Sequence, residues 1–263
     1  MANSIKIAAI QMDCVLRDLA ANLAHGAELV DRAASCGAKL IVLPELFNTG
    51  YRVEERDAEL AEPVPGGRTV DWMRELAARH GAYLVGALME RDGEALYDTA
   101  AVVGPEGFVG KYRKMYLWGA ETERWGRGED VGVIKLPFAD IGLQICYEIG
   151  FPEGARKLAQ AGAQIIVYTS AFGRARGYAW DLASRARALE NGVFVLACNR
   201  CGAERDTFYG GLSRIVAPNT SVLAGAGADG EAVVTADIEL AEIAAQREAI
   251  PYLKDLANRP FPH

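Results

Sequence analysis

Histidine is scarce in this 263-residue chain. The three present, His25, His80 and His263, show no metal-ligand spacing, and no His-Glu-x-x-His segment occurs. His25 and His80 fall within or at the end of predicted helices, and His263 is the last residue. A Ser-His-Asp or Cys-His enzyme is hard to assemble from these, so any nucleophile needs a base other than imidazole. A Gly-x-Ser-x-Gly elbow and a phosphate-binding Gly-rich loop are also missing. No uninterrupted apolar run approaches the ~18 residues of a membrane span, so no membrane partner is expected. The start, Met1-Ala2-Asn3-Ser4-Ile5-Lys6, lacks a signal-peptide pattern. Positive charge is in deficit: 28 Lys and Arg against 35 Asp and Glu give a net −7, which leaves no electrostatic footprint for nucleic acid. Cysteine is sparse and odd in number, with five residues, Cys14, Cys36, Cys146, Cys198 and Cys201. That usage reads as reduced thiols in the cytoplasm. Cys198-Asn199-Arg200-Cys201 has no second Cys pair, and Cys198 closes a strand rather than opening a helix. Redox and zinc use are therefore set aside, and neither cofactor nor metal is expected.

Apolar residues, by contrast, make up 51% of the chain, ample for a core. Ile5 to Gln11 has the length of a strand. Leu23, Ala27, Val30 and Ala34 recur on one face of a helix that stops at Gly37. Leu40 to Leu43 is a buried strand ended by Pro44. The same helix–glycine–strand grammar returns before Tyr83 to Leu88, Ile165 to Thr169 and Val193 to Cys198. Strands apolar on both faces, each preceded by a helix, are how helix-covered sheets read. Further strands are predicted at Thr99 to Val103, Phe108 to Tyr112, Ile141 to Cys146, Leu212 to Val216, Ser221 to Ala224 and Ala232 to Asp237. The expected fold class is α/β with mixed sheets, two sheets packed together and helices outside, in a single domain over residues 1–263. The tail from Gln246 to His263, with Pro251, Pro260 and Pro262, reads as too irregular to hold a core and is expected to lie on a neighbouring subunit.

Three segments carry chemistry. Leu43-Pro44-Glu45 sets a carboxylate directly after a buried strand; alone, it would pass for an acidic helix start. Lys111-Tyr112-Arg113-Lys114 puts three cations within four residues; alone, it would be a solvated turn. Ile141 to Glu153 runs as a strand to Cys146, bends, and restarts at Pro152, a clear first helical position. A cysteine at a strand end is more often packing than nucleophile. In a helix-covered sheet, though, the carboxyl end of a strand is where ligands bind, and a following helix N-terminus favours thiolate. Carboxylate, ammonium and thiol together form a set for acyl transfer without histidine. The carboxylate takes the thiol proton, best with a pKa raised by burial and offset by the lysine, and the ammonium holds the oxyanion.

On these three motifs, in order and spacing, the chain resembles the nitrilase (carbon–nitrogen hydrolase) superfamily from about Ile5 to Leu253. The resemblance implies an αββα sandwich that dimerises into an αββα–αββα slab, and a catalytic triad of Glu45, Lys114 and Cys146. Of the two lysines, the family pattern places the catalytic one second. An accessory glutamate is implied at Glu121, with Glu123 as the alternative. The substrate pocket is expected to take Tyr51, Trp118, Tyr147 and the Ser170-Ala171-Phe172 turn. Ser184 to Asn191 resembles the family's Arg-rich helix, expected to pair charges between helices or across the dimer. Two departures leave the substrate open: Tyr116 stands where many members have His, and Cys146-Tyr147-Glu148 replaces the Cys-Tyr-Asp common in amide-cleaving branches and the Cys-Trp-Glu of true nitrilases. The function implied is a cytoplasmic, homodimeric or higher oligomeric amidase that hydrolyses a small linear amide through a thioester. The alternatives are an N-carbamoyl amidohydrolase or nitrilase with the same triad, or a catalytically idle dimeric binding protein.

Overall fold

The helix–glycine–strand unit read from the sequence forms at all four places, and it organises the molecule. The computed structural model describes residues 4–52 and 54–259. The first half runs β1 (Ile5–Gln11), α1 (Leu19–Ser35), β2 (Leu40–Glu45), α2 (Asp57–Leu60), α3 (Arg68–His80), β3 (Tyr83–Asp92), β4 (Ala95–Gly104) and β5 (Gly107–Arg113). The second begins with α4 (Glu121–Arg124), β6 (Val133–Lys135), β7 (Asp140–Ile145), α5 (Pro152–Gln160), β8 (Ile165–Ser170), α6 (Gly177–Asn191) and β9 (Phe194–Asn199). It closes with β10 (Ala203–Glu204), β11 (Thr207–Phe208), β12 (Arg214–Val216), β13 (Val222–Gly225), β14 (Ala232–Ile238), α7 (Ala241–Ala249) and α8 (Tyr252–Asn258). Gly81 and Gly192 end α3 and α6 at φ 59° and 56°. That left-handed backbone costs glycine nothing and strains other residues.

Two six-stranded sheets result, ordered β14-β1-β2-β3-β4-β5 and β13-β12-β9-β8-β7-β6. Each has a parallel centre, β1-β2-β3 and β7-β8-β9, with antiparallel pairs outside it. The sheets pack face to face through β1 and β2 against β8 and β9. Strand alternation explains the continuous apolar runs. In the first sheet Ile7, Ala9, Leu40, Val42 and Val85 point to the other sheet. Their neighbours Ala8, Ile10, Ile41, Leu43 and Leu84 point outward, into a second core with Leu29, Val30, Val70 and Met73 of α1 and α3. Helices α5 and α6 cover the other sheet with Ala155, Leu158, Trp180 and Ala188. The order of layers is therefore αββα, as expected.

Two expectations change in detail. Strand β2 does not stop at Pro44 but continues to Glu45, its pairing with β3 shifting between Val42 and Glu45; a proline lacking N–H is accommodated at such an irregularity. The tail is not irregular up to residue 259: it forms the end of α7 and all of α8, with Leu253 packed on the main core. Pro260, Pro262 and His263 lie outside the described residues. The Arg-rich stretch sits on α6, where Arg187 donates from Nε to the Ile149 carbonyl at 3.0 Å and pairs with Glu190 at 3.0 Å.

Helix α5 lies so close to β7 that a Cβ placed on Gly142 would meet the Leu158 side chain at 2.9 Å. Leu158 itself is fully buried. Leu158→Ala is expected to lower the unfolding free energy by about 2–5 kcal/mol in urea titrations. A loss under about 1 kcal/mol would contradict the close packing of this layer.

Candidate active site

The carboxyl ends of β2, β7 and β8 converge, and each delivers one polar group to the same buried point. Glu45 ends β2, Cys146 follows β7, and Ala171 follows β8. Lys114 comes one residue after β5; its backbone N–H donates to the Asp98 carbonyl at 2.9 Å, and its carbonyl accepts from Gly128 N–H at 2.9 Å. Its ammonium is fully buried and donates to Glu45 Oε1 at 2.7 Å, Glu121 Oε1 at 3.0 Å and Asp98 Oδ2 at 3.3 Å. The other oxygen of Glu45 accepts the Ala171 N–H at 2.7 Å. The Cys146 thiol is near enough to Glu45 for each to shift the other's titration. Cys146 has φ +49°, a conformation rare for a side chain other than glycine. Strain of this kind gathers at functional positions.

The charges sort themselves by neighbour. Burial pushes the Glu45 carboxyl up, but the Lys114 charge and hydrogen bonds from Asp98, Lys114 and Cys146 outweigh it and hold Glu45 below the usual carboxylate range. Burial would lower the Lys114 pKa, yet Glu45, Glu121 and Asp98 together raise it well above the ordinary lysine value. Asp98 is pushed well up, first by burial and then by the Glu45 charge. Its Oδ1 has no hydrogen-bond partner among the described residues. Burial, then Glu45, raises the Cys146 thiol as well. This corrects one expectation. The thiol is neutral at rest rather than a helix-stabilised thiolate: burial and the Glu45 charge raise it, and Cys146 opens a separate 3₁₀ turn, Cys146–Gly150, with α5 starting only at Pro152. For Glu45 the two expected effects are both present, and the offset is the larger: burial raises it, but the Lys114 charge and the hydrogen bonds outweigh burial and the net shift is downward.

Glu121 is buried and accepts from Lys114, from the Tyr51 hydroxyl and from the Trp118 N–H at 2.7 Å. Glu123 is exposed. Oxygens of Glu45, Asp98 and Glu121 lie within 4.8 Å of one another, a grouping that could hold a cation; the Lys114 ammonium already stands among them. Lys111 points elsewhere, pairing with Glu90 and donating to the Val64 carbonyl at 3.1 Å.

A cavity of about 330 Å³ opens above Cys146 and Glu121, walled by Tyr51, Trp118, Tyr147, Ala171 and Phe172. Ser170, expected on this wall, is fully buried and does not line the cavity, since the lining begins one residue later. Tyr116 stacks on Phe151 at 4.1 Å, and Tyr112 bonds Glu148 at 2.7 Å; neither lines the cavity. The cysteine pair is uninvolved: Cys198 donates to the Ile10 and Val42 carbonyls at 3.2 and 3.3 Å, and all five thiols are free.

Sequence reasoning missed Asp98, which looks like an ordinary strand residue, and the structural part of Glu148. Buried Glu148 accepts from Ile145 N–H at 2.7 Å, Met115 N–H at 2.9 Å, Tyr116 N–H at 3.2 Å and the Tyr112 hydroxyl. It thereby fastens the lysine segment to the cysteine turn. The Cys-Tyr-Glu departure was the visible signal for it.

A carbon–nitrogen hydrolase family model matches residues 6–248. The chain belongs to the carbon–nitrogen hydrolase family. It is 38% identical over 243 residues to a nitrilase of Pyrococcus abyssi, covering 90% of each chain. It is 37% identical to the omega-amidase NIT2 of Xenopus tropicalis, covering 88% of this chain and 87% of that one. Among solved structures, a cysteine-to-alanine mutant of the Nesterenkonia AN1 amidase, from the nitrilase superfamily, superposes with TM-score 0.85 at 27% identity, covering 97% and 95% of the two chains. The αββα architecture is thus that of nitrilase-superfamily folds.

The charge assignment has a direct consequence for stability. Asp98→Asn keeps the shape and neutrality of a protonated carboxyl, so unfolding free energy at pH 7 is expected to change by less than about 1 kcal/mol. Lys114→Met strands the buried Glu45 charge and is expected to cost about 3–5 kcal/mol. Equal losses in the two variants would show that Asp98 is charged.

Proposed function

We propose that the protein is an amidase that hydrolyses a small linear amide to acid and ammonia through a thioester on Cys146. The observation that carries this reading is the burial of one carboxylate between two partners: Glu45 is bonded to the Lys114 ammonium at 2.7 Å and shifts the titration of the Cys146 thiol, which lines the cavity. Glu45 accepts the thiol proton as sulfur attacks the amide carbon. The developing oxyanion is stabilised by Lys114 and by the Tyr147 N–H, which sits at the first turn of a 3₁₀ helix where no carbonyl of that turn accepts it. Protonated Glu45 then delivers its proton to the leaving nitrogen, the carbon–nitrogen bond breaks, and ammonia departs. Water enters, gives a proton to Glu45 and adds to the thioester; collapse releases the acid and returns the proton to sulfur. Glu121, braced by Tyr51 and Trp118, holds Lys114 and orients the amide nitrogen.

The amide is preferred to the nitrile because expelling ammonia needs the proton return that Glu45 can make, and because Tyr147 rather than Trp follows the nucleophile. The kinship with an omega-amidase and an amidase supports the same side, whereas the kinship with the Pyrococcus protein keeps the nitrile as the second reading. The proposal includes a cytoplasmic setting, consistent with five free thiols, and a homodimer, supported by Tyr178 and Leu182 standing 77% and 65% exposed on α6. No helix of the described residues is long and apolar enough to cross a membrane.

The test is kcat/KM for an amide, a nitrile and an N-carbamoyl compound sharing one side chain. The amide is expected to lead, and a nitrile or carbamoyl compound turned over tenfold faster than every amide would contradict the reading. On the amide, Lys114→Ala is expected to lose about 10²–10³ in rate. Lys111→Ala, outside the cavity, should lose far less; the reverse ranking would move the oxyanion role to Lys111.

A further inference from the structure

Lys114 touches three carboxyl groups, and they are not equivalent. Glu45 uses both oxygens: Oε1 accepts from Lys114 at 2.7 Å and Oε2 from the Ala171 N–H at 2.7 Å. Glu121 does the same, Oε1 accepting from Lys114 at 3.0 Å and from the Tyr51 hydroxyl, Oε2 from the Trp118 N–H at 2.7 Å. Asp98 is fully buried, yet its Oδ2 has only the long 3.3 Å contact with Lys114, and its Oδ1 has no partner among the described residues. A buried carboxylate is stable only where donors replace water. Three ionised carboxylates against one ammonium would leave a net double negative charge in this closed volume. Where carboxyl groups crowd a site, one keeps its proton, and the distribution of donors picks Asp98. Burial, then the Glu45 charge, pushes its carboxyl up, in the same sense. The charged and titratable groups around it are Lys114, Glu45, Glu121 and, next to Glu45, Cys146.

Asp98 also holds Lys114 at two places. The ladder between β4 and β5 ends at the pair Thr99 and Arg113. The Asp98 carbonyl then accepts the next N–H, that of Lys114, at 2.9 Å, while the Asp98 carboxyl reaches the ammonium at the far end of the same residue. Backbone and head group of the lysine are thereby fixed to one residue of β4, which does not itself line the cavity. The charge on that residue matters for the reaction. As the thiol proton passes to Glu45, negative charge moves from that carboxylate to the substrate oxygen, and Lys114 has to face it. An ionised Asp98 would set a further negative charge beside the same ammonium and repel the oxyanion. A neutral acid still accepts a hydrogen bond and keeps the ammonium in register, but offsets little of its charge.

We propose that Asp98 is a positioning residue for the reaction: as a neutral acid it grips Lys114 at backbone and ammonium and leaves the charge of the lysine to the oxyanion. The inference rests on the amidase reading and deepens it.

The first measurement needs neither a variant nor turnover. Infrared spectra are recorded at neutral pH on protein isotopically labelled in the side-chain carboxyl of aspartate, which separates Asp98 from the two glutamates. A neutral-acid C=O band is expected, shifted by the label and missing from Asp98→Asn. No such band, or one that the label leaves in place, would overturn the proposal. The second measurement is steady-state turnover of an amide. Asp98→Ala loosens the lysine and is expected to lower kcat by about 10²-fold, the effect of a misplacement of ~1 Å. KM should move by less than about threefold, because Asp98 touches no substrate. Asp98→Asn, a neutral acceptor of the same shape, should recover most of the lost kcat. Equal losses in the Ala and Asn variants would show that the charge is what acts, and wild-type kcat in Asp98→Ala would show that nothing is positioned; either overturns the proposal. The labelled band in place, with no amide hydrolysed by wild type, would instead sink the amidase reading and leave the neutral Asp98 standing.

Discussion

The buried ammonium of Lys114 is the interaction on which the site depends. Taking a lysine out of water costs several kcal/mol, and so does burying each carboxylate, so neither is stable there alone. Together they close a small charge-balanced knot: Lys114 sits 2.7 Å from Glu45, 3.0 Å from Glu121 and 3.3 Å from Asp98. Burial and the Glu45 charge push Asp98 well up, which limits the negative charge the knot must carry. The result is a fixed positive point with a carboxylate beside it. Preorganisation of that kind is what makes electrostatic catalysis effective, since no dipole has to turn during the reaction.

The rest of the fold holds this knot from several directions. The parallel centres of the two sheets bring Glu45, Cys146 and Ala171 to one end. Glu148 ties the segment bearing Lys114 to the cysteine turn by accepting from four donors. Above the floor, Glu204 has a similar part for the cavity wall. Its Oε2 accepts the Tyr51 and Arg52 N–H groups at 3.0 and 2.9 Å and the Tyr209 hydroxyl at 3.0 Å, while fully buried Arg200 anchors its other oxygen. Both glutamates accept from backbone N–H groups of Met115, Tyr116, Tyr51 and Arg52, and so fix loop segments that lie outside the strands.

What was legible in the sequence follows from this division. The sheets were legible because both faces of β1 to β3 and β7 to β9 are buried, which writes long apolar runs into the chain. That Glu45, Lys114 and Cys146 come together was legible through three motifs and their order, and the place of Glu121 beside them through the family resemblance alone. Asp98 was not: it lies mid-strand in β4, and its importance arises from the long-range approach of β5 and β2. Ser170 was misplaced because alternation along β8 was not carried to its last residue, which points into the protein. The late helices were missed because α8 buries none of its residues fully and so shows little apolar periodicity.

The central claim is that Glu45 is the base that makes the Cys146 thiol reactive. Intact-protein mass spectrometry after rapid mixing with a hydrolysable amide tests it in one comparison, wild type against Glu45→Gln. Gln keeps the shape and a hydrogen bond but takes no proton. The account predicts prompt acylation of wild type at Cys146 and very slow acylation of the variant. Acylation of Glu45→Gln at the wild-type rate would contradict it and point to another base.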